Sequence, residues 1–179
     1  IRRGFLCLCL LFAASAQAAT IHLRDDAGQT LEFGRPPQRI ISLAPHLTEL
    51  LFAAGAGAQV VGVDGASDYP KAVQALPRVG DFSRINFERI LALQPDLVLV
   101  WVGGNRAADI HRLKQMGIPV LQTEATRLDD VARLLRLIGL ASGADSWNTS
   151  VLQNRERSCG RAKPRAASPP RPQSRGVYC

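Results

Sequence analysis

The chain has 179 residues, and its 46% hydrophobic and 21% charged content suits one folded domain with a real core. This composition argues against a wholly disordered chain, a collagen-like repeat and a multi-span membrane protein. The net charge of +7 is unevenly distributed along the chain. Residues 151–179 hold seven Lys and Arg residues and one acidic residue, whereas residues 1–150 hold 15 Lys and Arg residues and 14 acidic residues. A nucleic-acid interface needs a basic stripe on a folded face, so the sequence predicts no nucleic-acid partner.

The N-terminus has the pattern of an export signal. Arg2 and Arg3 precede an apolar run over residues 5–14, and Ala16-Gln17-Ala18 fits the small-x-small rule for cleavage before Ala19. The run is shorter than the ~20 apolar residues that a membrane span needs. We expect residues 1–18 to be a cleavable signal peptide that directs the protein to the periplasm; the alternative is a buried N-terminal helix.

The predicted elements after residue 19 begin with a hairpin and continue as alternating strands and helices. Residues 19–37 form an extension in which strands 21–24 and 30–33 flank a Gly-containing loop, and Pro36-Pro37 ends it. Apolar runs predict strands at 39–43, 59–63, 96–102 and 118–121. Helical spacing predicts helices at 47–54, from the N-cap Asn86 onward, at 106–116 and at 128–140, with a turn and a short helix between residues 68 and 77. This alternation predicts a three-layer α/β/α domain with a mostly parallel sheet.

The amino-acid composition changes in the last part of the chain. From about residue 148 the sequence is rich in Arg, Pro and Ser and has no helical or strand period. We interpret residues 148–179 as a basic tail, either disordered or translated out of frame.

The candidate metal ligands are scattered. All four cysteines lie in the signal or the tail, and His22, His46 and His111 lack paired ligand spacing. The sequence therefore predicts no metal site. His46 has two interpretations, a residue at the mouth of a site or a surface or capping histidine.

Catalytic motifs are weak. Gly55-Ala56-Gly57 closes a helix and precedes a strand, whereas a phosphate-binding loop follows a strand and opens a helix. No Gly-x-Ser-x-Gly elbow is present, and the carboxylates are scattered. We therefore expect no enzymatic activity and keep a nucleotide-binding α/β enzyme as an alternative.

Aromatic and acidic residues near predicted strand ends are the remaining candidates for a site, namely Tyr69, Phe82, Glu88 and Trp101. In open parallel sheets, ligands bind beyond the carboxyl ends of the strands. Trp101 ends a strand and precedes two glycines, so its ring can line such a crevice. The alternative is that these aromatic rings fill the core and that Glu88 is a solvated helix carboxylate.

A longer series of motifs resembles a known family. The segments are 39–55 (RIISLAPHLTELLFAAG), 61–63 (VGV), 67–70 (SDYP), 79–80 (VG), 86–90 (NFERI), 93–98 (LQPDLV) and 101–105 (WVGGN). In order and spacing they resemble the N-terminal lobe of the helical-backbone (class III) periplasmic binding proteins. The last segment makes the chain most similar to the cobalamin (vitamin B12)-binding proteins of ABC importers.

The resemblance implies a two-lobe protein that captures cobalamin in a cleft and delivers it to a membrane permease and its ATPase. Cobalamin would be the transported ligand, and no cofactor is expected. By motif, Trp101 and Phe82 match positions of ligand-contacting aromatic rings. Ala66 stands where the family can have a ligand-contacting Tyr, with Tyr69 nearby. Glu88 matches the glutamate that pairs with arginines of the permease.

The resemblance covers one lobe, which we place at residues 38–147. A second lobe does not follow in the sequence, so we expect a truncated or frameshifted protein with impaired ligand binding. We also expect the protein to be a monomer. Three other interpretations stay open: a ferric siderophore-binding or haem-binding protein of the same class, the nucleotide-binding enzyme, and a pseudogene product. Whether Cys159 and Cys179 pair is left open as well.

Overall fold

The N-terminal part of the folded chain is a two-stranded hairpin. The computed structural model of the protein describes residues 20–81 and 83–144. Strand β1 (Ile21–Arg24) pairs antiparallel with β2 (Thr30–Phe33), and Arg24 lies opposite Thr30. The buried carboxylate of Asp25 closes the loop by accepting a hydrogen bond from the Gln29 N–H at 2.7 Å. The predicted hairpin is confirmed.

A parallel sheet forms the centre of the domain. Its strands are β3 (Ile40–Ser42), β4 (Val60–Val63), β5 (Leu97–Trp101) and β6 (Val120–Thr123). Their order across the sheet is β4-β3-β5-β6, and every pairing is parallel. The mostly parallel sheet is therefore confirmed.

Strand β6 begins two residues later than the sequence pattern suggests. The Ile118 N–H donates to the Leu113 carbonyl at 3.3 Å and so belongs to the end of the preceding helix. Pro119 has no N–H to offer a ladder. The first paired residue is consequently Val120, opposite Val98.

In the described part of the chain, four α-helices flank the sheet. They are α1 (Pro45–Ala53), α2 (Phe87–Ala92), α3 (Ala107–Gln115) and α4 (Leu128–Ser142). The predicted cap of α2 is confirmed, because the Asn86 side chain accepts from the Arg89 N–H at 2.9 Å. Gly55 follows α1 with φ of 82°, a left-handed conformation that favours glycine, so Gly55 ends the helix. The short helix expected between residues 68 and 77 is a 3-10 helix, Lys71–Ala75, and another 3-10 turn covers Gly57–Gln59.

Both faces of the sheet are buried, as the continuous apolar pattern of β5 predicts. Leu97 and Leu99 face one core, which also holds Leu47 and Leu51 of α1, Leu134 and Ile138 of α4, and Leu23 and Leu31 of the hairpin. Val98 and Val100 face a second core with Ile90 of α2 and with Ile110 and Leu113 of α3. The architecture is the predicted α/β/α sandwich.

The predicted signal peptide 1–18 and the predicted tail 148–179 lie wholly outside the described residues. The described residues also leave out residue 19 of the predicted extension 19–37, and residues 82 and 145–147 of the predicted lobe 38–147. Within the described ranges, no helix has the length and apolar character needed to cross a membrane.

Candidate functional site

The order of the strands creates a topological switch point at one edge of the sheet. From β3 the chain passes to β4 on one side and then to β5 on the other, so the loops after β3 and β5 diverge in opposite directions. Such a switch point, at the carboxyl ends of parallel strands, is where open α/β sheets bind ligands. Residues that follow these two strands are therefore the first candidates for ligand contact.

Two aromatic rings meet at this switch point. His46 is the second residue of α1, just after β3, and Trp101 is the last residue of β5. Their ring centroids are 5.2 Å apart and their planes are at 90°. Both residues are half-buried, so the pair forms part of the core and part of the surface.

The indole of Trp101 is held closely by the turn that follows it. A Cβ atom on Gly104 would lie 2.2 Å from Cε3 of the indole, and one on Gly103 would lie 2.9 Å from its Nε1. Only glycines allow this approach. Nε1 is buried without a hydrogen-bond partner among the described residues.

Asn105 joins the two loops of the switch point. Its buried side chain accepts from the Trp101 N–H at 2.8 Å and donates to the Leu43 carbonyl at 2.9 Å. This side chain adds two hydrogen bonds to the β3–β5 pairing that already holds Trp101 beside the end of β3.

The imidazole of His46 is uncharged at neutral pH. Burial lowers the pKa of His46 from its usual value of 6.5, because a protonated ring would lose its hydration. The carboxylates of Glu49, Asp64 and Glu124 act in the opposite direction and do not reverse the shift.

A buried hydroxyl network positions the loop after β4. Thr48 Oγ1 donates to Ser42 Oγ at 2.9 Å and lies 2.8 Å from Ser67 Oγ, and Ser67 also hydrogen-bonds to Asp64. All four side chains are buried. The network anchors the loop that carries the predicted residues Ala66 and Tyr69.

Ala66 and Tyr69 are exposed beyond β4, at the same edge of the sheet as Trp101. The Tyr69 side chain is 65% exposed, so it does not fill the core. Since β3 lies between β4 and β5, these two residues and Trp101 stand on opposite sides of β3.

Glu88 lines a groove of about 720 Å³ between the N-terminal ends of α2 and α3. The other charged residues that line this groove are Asp81, Arg84, Arg106, Asp109 and Arg112. The Arg112 guanidinium lies 4.3 Å from the centroid of the Phe87 ring, a cation–π distance. The predicted residue Phe82 lies outside the described residues.

Two residues near the switch point were not predicted as site residues, and the role of a third was left open. Asn105 and Glu124 were not singled out, and His46 had two open interpretations. Only the position of Asn105, after two glycines at a strand end, offered a local signal. In the described part of the chain, no three His, Cys, Asp or Glu side chains are grouped closely enough to hold a metal ion.

Comparison with known proteins gives consistent results. A family model described as "Periplasmic binding protein" matches residues 40–174. A vitamin B12-binding protein of Vibrio parahaemolyticus is 46% identical over 97 residues, which are 54% of this chain and 35% of that protein. A vitamin B12-binding protein of Pectobacterium carotovorum is 45% identical over 106 residues, 59% of this chain and 38% of that protein. The chain thus spans little more than a third of these relatives.

Solved structures agree on the fold. The periplasmic vitamin B12-binding protein BtuF of Vibrio cholerae superposes with a TM-score of 0.58 at 34% identity, over 72% of this chain and 53% of that chain. A periplasmic haem-binding protein of Pseudomonas aeruginosa gives 0.54 at 27% identity, over 69% of this chain and 46% of that chain. Because the family model matches most of the chain and the sheet has the same architecture, the chain belongs to the periplasmic binding protein family.

Proposed function

We propose that this chain forms the N-terminal lobe of the cobalamin-binding component of an ABC importer. The observation that carries the proposal is the 45–46% identity to vitamin B12-binding proteins over 97 and 106 residues. The chain also provides a half-buried tryptophan at the edge where open parallel sheets bind ligands. The function is capture and delivery rather than catalysis.

Stacking on Trp101 suits a corrin ring. A corrin is large and flat, and an aromatic contact contributes about 0.5–1.5 kcal/mol beyond the burial of its area. The fixed position of Trp101, set by Asn105 and the two glycines, lowers the ordering cost of that contact. Ala66, Tyr69 and Phe82 are the other proposed contact residues.

The proposed location is the periplasm, reached through the signal peptide at residues 1–18. There Glu88 is the proposed docking residue for arginines of the permease, whose ATPase drives transport. Exposed charge pairs at such a transient interface set orientation and the rate of association more than affinity. The proposed oligomeric state is a monomer.

Docking through Glu88 is tested by a charge reversal. Association of the full chain with a permease–ATPase complex in nanodiscs is measured by surface plasmon resonance. Glu88→Arg should slow association at least fivefold at low salt, whereas Glu32→Arg, an exposed reversal on β2, should not. Equal association rates for the two variants would refute the docking role.

A haem-binding protein of the same family is the second candidate. It is favoured by the structural similarity to the haem-binding protein of Pseudomonas aeruginosa. Haem is also flat and can stack on Trp101. The sequence identity to this protein is 27%, well below that to the vitamin B12-binding relatives.

Calorimetry decides between these ligands. The full chain is titrated with cyanocobalamin, haem and a ferric siderophore under identical conditions. We expect cyanocobalamin to bind most tightly, and Trp101→Ala to weaken it at least tenfold, which corresponds to about 1.4 kcal/mol. The matched control is Leu128→Ala, a truncation of a side chain that is 91% exposed at the start of α4. Tighter binding of haem, or an unchanged affinity in Trp101→Ala, would refute the proposal.

A further inference from the structure

His46 is the histidine that the fold places at the switch point. His22 and His111 are exposed, on β1 and α3. His46 lies against Trp101 with its ring half-buried. Among the described residues, no hydrogen-bond partner contacts either ring nitrogen. Neither nitrogen is among the fully buried atoms that lack a partner, so both keep some exposure. A nitrogen at this edge is therefore accessible and uncommitted.

The orientation of the imidazole suits a bond to a metal held in a flat macrocycle. The lone pair of an imidazole nitrogen lies in the plane of its ring. The planes of His46 and Trp101 are at 90°. A macrocycle that lies parallel to the indole would consequently meet the imidazole plane at a right angle, so that the lone pair can point along the axial direction of the metal.

Resting on the proposed function, we infer that His46 is an axial ligand to the metal of the bound corrinoid. A ring nitrogen of His46 donates its electron pair to Co(III), the bond from cobalt to a coordinated water breaks, and the water leaves. The cobalt keeps its oxidation state, and the other ring nitrogen keeps its proton. The residue thereby selects corrinoids whose axial ligand can exchange.

The electrostatic environment supports this role. Coordination requires the neutral imidazole, since a protonated ring has no free electron pair. Burial lowers the pKa of His46, which keeps the ring neutral at pH 7. The nearby carboxylates of Glu49, Asp64 and Glu124 favour the positive charge of a cobalt(III) corrin at this edge.

The test compares two corrinoids. Aquacobalamin has an exchangeable water, whereas the cyanide of cyanocobalamin stays bound to cobalt. Both are titrated into the full chain and followed by visible absorption. We expect the wild-type chain to shift the aquacobalamin bands to those of an imidazole complex and to leave the cyanocobalamin bands in place. With His labelled with ¹⁵N, one ring nitrogen of His46 should shift with aquacobalamin alone.

Three variants identify the ligating histidine. His46→Gln should lose the band shift and lower the ratio of aquacobalamin to cyanocobalamin affinity at least tenfold. His22→Gln and His111→Gln should retain the shift. The ratio of the two affinities is used because a change in the stacking on Trp101 would affect the binding of both corrinoids.

The outcomes separate this inference from the proposed function. Binding of cyanocobalamin without a band shift for aquacobalamin would overturn the role of His46 and leave the proposed function intact. A shift that persists in His46→Gln and disappears in His22→Gln or His111→Gln would overturn it as well. Absence of binding by either corrinoid would overturn both.

Discussion

The side-chain amide of Asn105 donates a hydrogen bond to the Leu43 carbonyl at 2.9 Å, across 62 residues of sequence. The same side chain accepts from the Trp101 N–H. One buried amide thus connects the ends of β3 and β5, which no local sequence pattern links. This connection helps to hold the proposed ligand-contacting Trp101 in place, together with the pairing of Trp101 with Thr123 of β6.

Removal of this amide is expected to be costly. Asn105→Ala leaves the Leu43 carbonyl and the Trp101 N–H without their partner, at about 1–3 kcal/mol for each buried group. We expect urea denaturation to show a loss of roughly 2–4 kcal/mol in the free energy of unfolding. The control Asn86→Ala removes an exposed N-cap and should cost about 1 kcal/mol. A smaller loss in Asn105→Ala than in Asn86→Ala would contradict the prediction.

Gly104→Ala tests the close packing of the turn on Trp101. The new Cβ would lie 2.2 Å from Cε3 and 2.4 Å from Cζ3 of the indole, so the ring or the turn must move. Overpacking of this kind costs about 1–3 kcal/mol. We expect a changed near-UV circular dichroism spectrum and weaker cyanocobalamin binding. Gly34→Ala is the control, since a Cβ there meets nothing within 4 Å. Similar spectra and affinities for the two variants would refute the expectation.

Thr48→Val tests the hydroxyl network that anchors the loop after β4. Valine keeps the shape of threonine and removes Oγ1, which contacts Ser42 and Ser67 in a buried environment. We expect a loss of about 1–3 kcal/mol in the free energy of unfolding, together with faster hydrogen exchange at Ser67.

The same substitution at an exposed strand position is the matched control. Thr30→Val on β2 should change the free energy of unfolding by less than about 0.5 kcal/mol. Equal effects of the two substitutions would show that the network does not stabilise the loop.

The lowered pKa of His46 predicts a loss of stability in acid. The unfolded chain titrates near 6.5 and the folded chain at a lower pH, so the unfolded state binds more protons between those values. The stabilisation is complete above pH 6.5 and declines as the pH falls towards the pKa of the folded state. His46 faces Glu49 on its own helix α1, Asp64 after β4, Glu124 after β6 and the Trp101 ring.

Urea denaturation at pH 7.5 and at pH 5.0 measures this effect. We expect the wild-type chain to lose more stability between the two pH values than His46→Phe does. His111→Gln removes an exposed histidine and should behave as the wild type does. If His46→Phe has the same pH dependence as the wild type, the titration of His46 does not contribute to the loss of stability in acid.

The sequence by itself determined the order and type of the elements. The continuous apolar run 97–101, the cap at Asn86 and the glycine at position 55 each depend on neighbours a few residues away, and short-range backbone sterics and hydrogen bonding fix their structure. These local signals also led to the parallel sheet and to Trp101 at a strand end.

Tertiary structure alone decided which loops meet. Strand β3 lies between β4 and β5, and this order follows from long-range packing on both faces of the sheet rather than from any pattern within a segment. That order brings His46 against Trp101 and gives the Asn105 amide a carbonyl partner on another strand. A histidine or an asparagine has many environments open to it in sequence, and only the neighbours that the fold supplies make it part of a site.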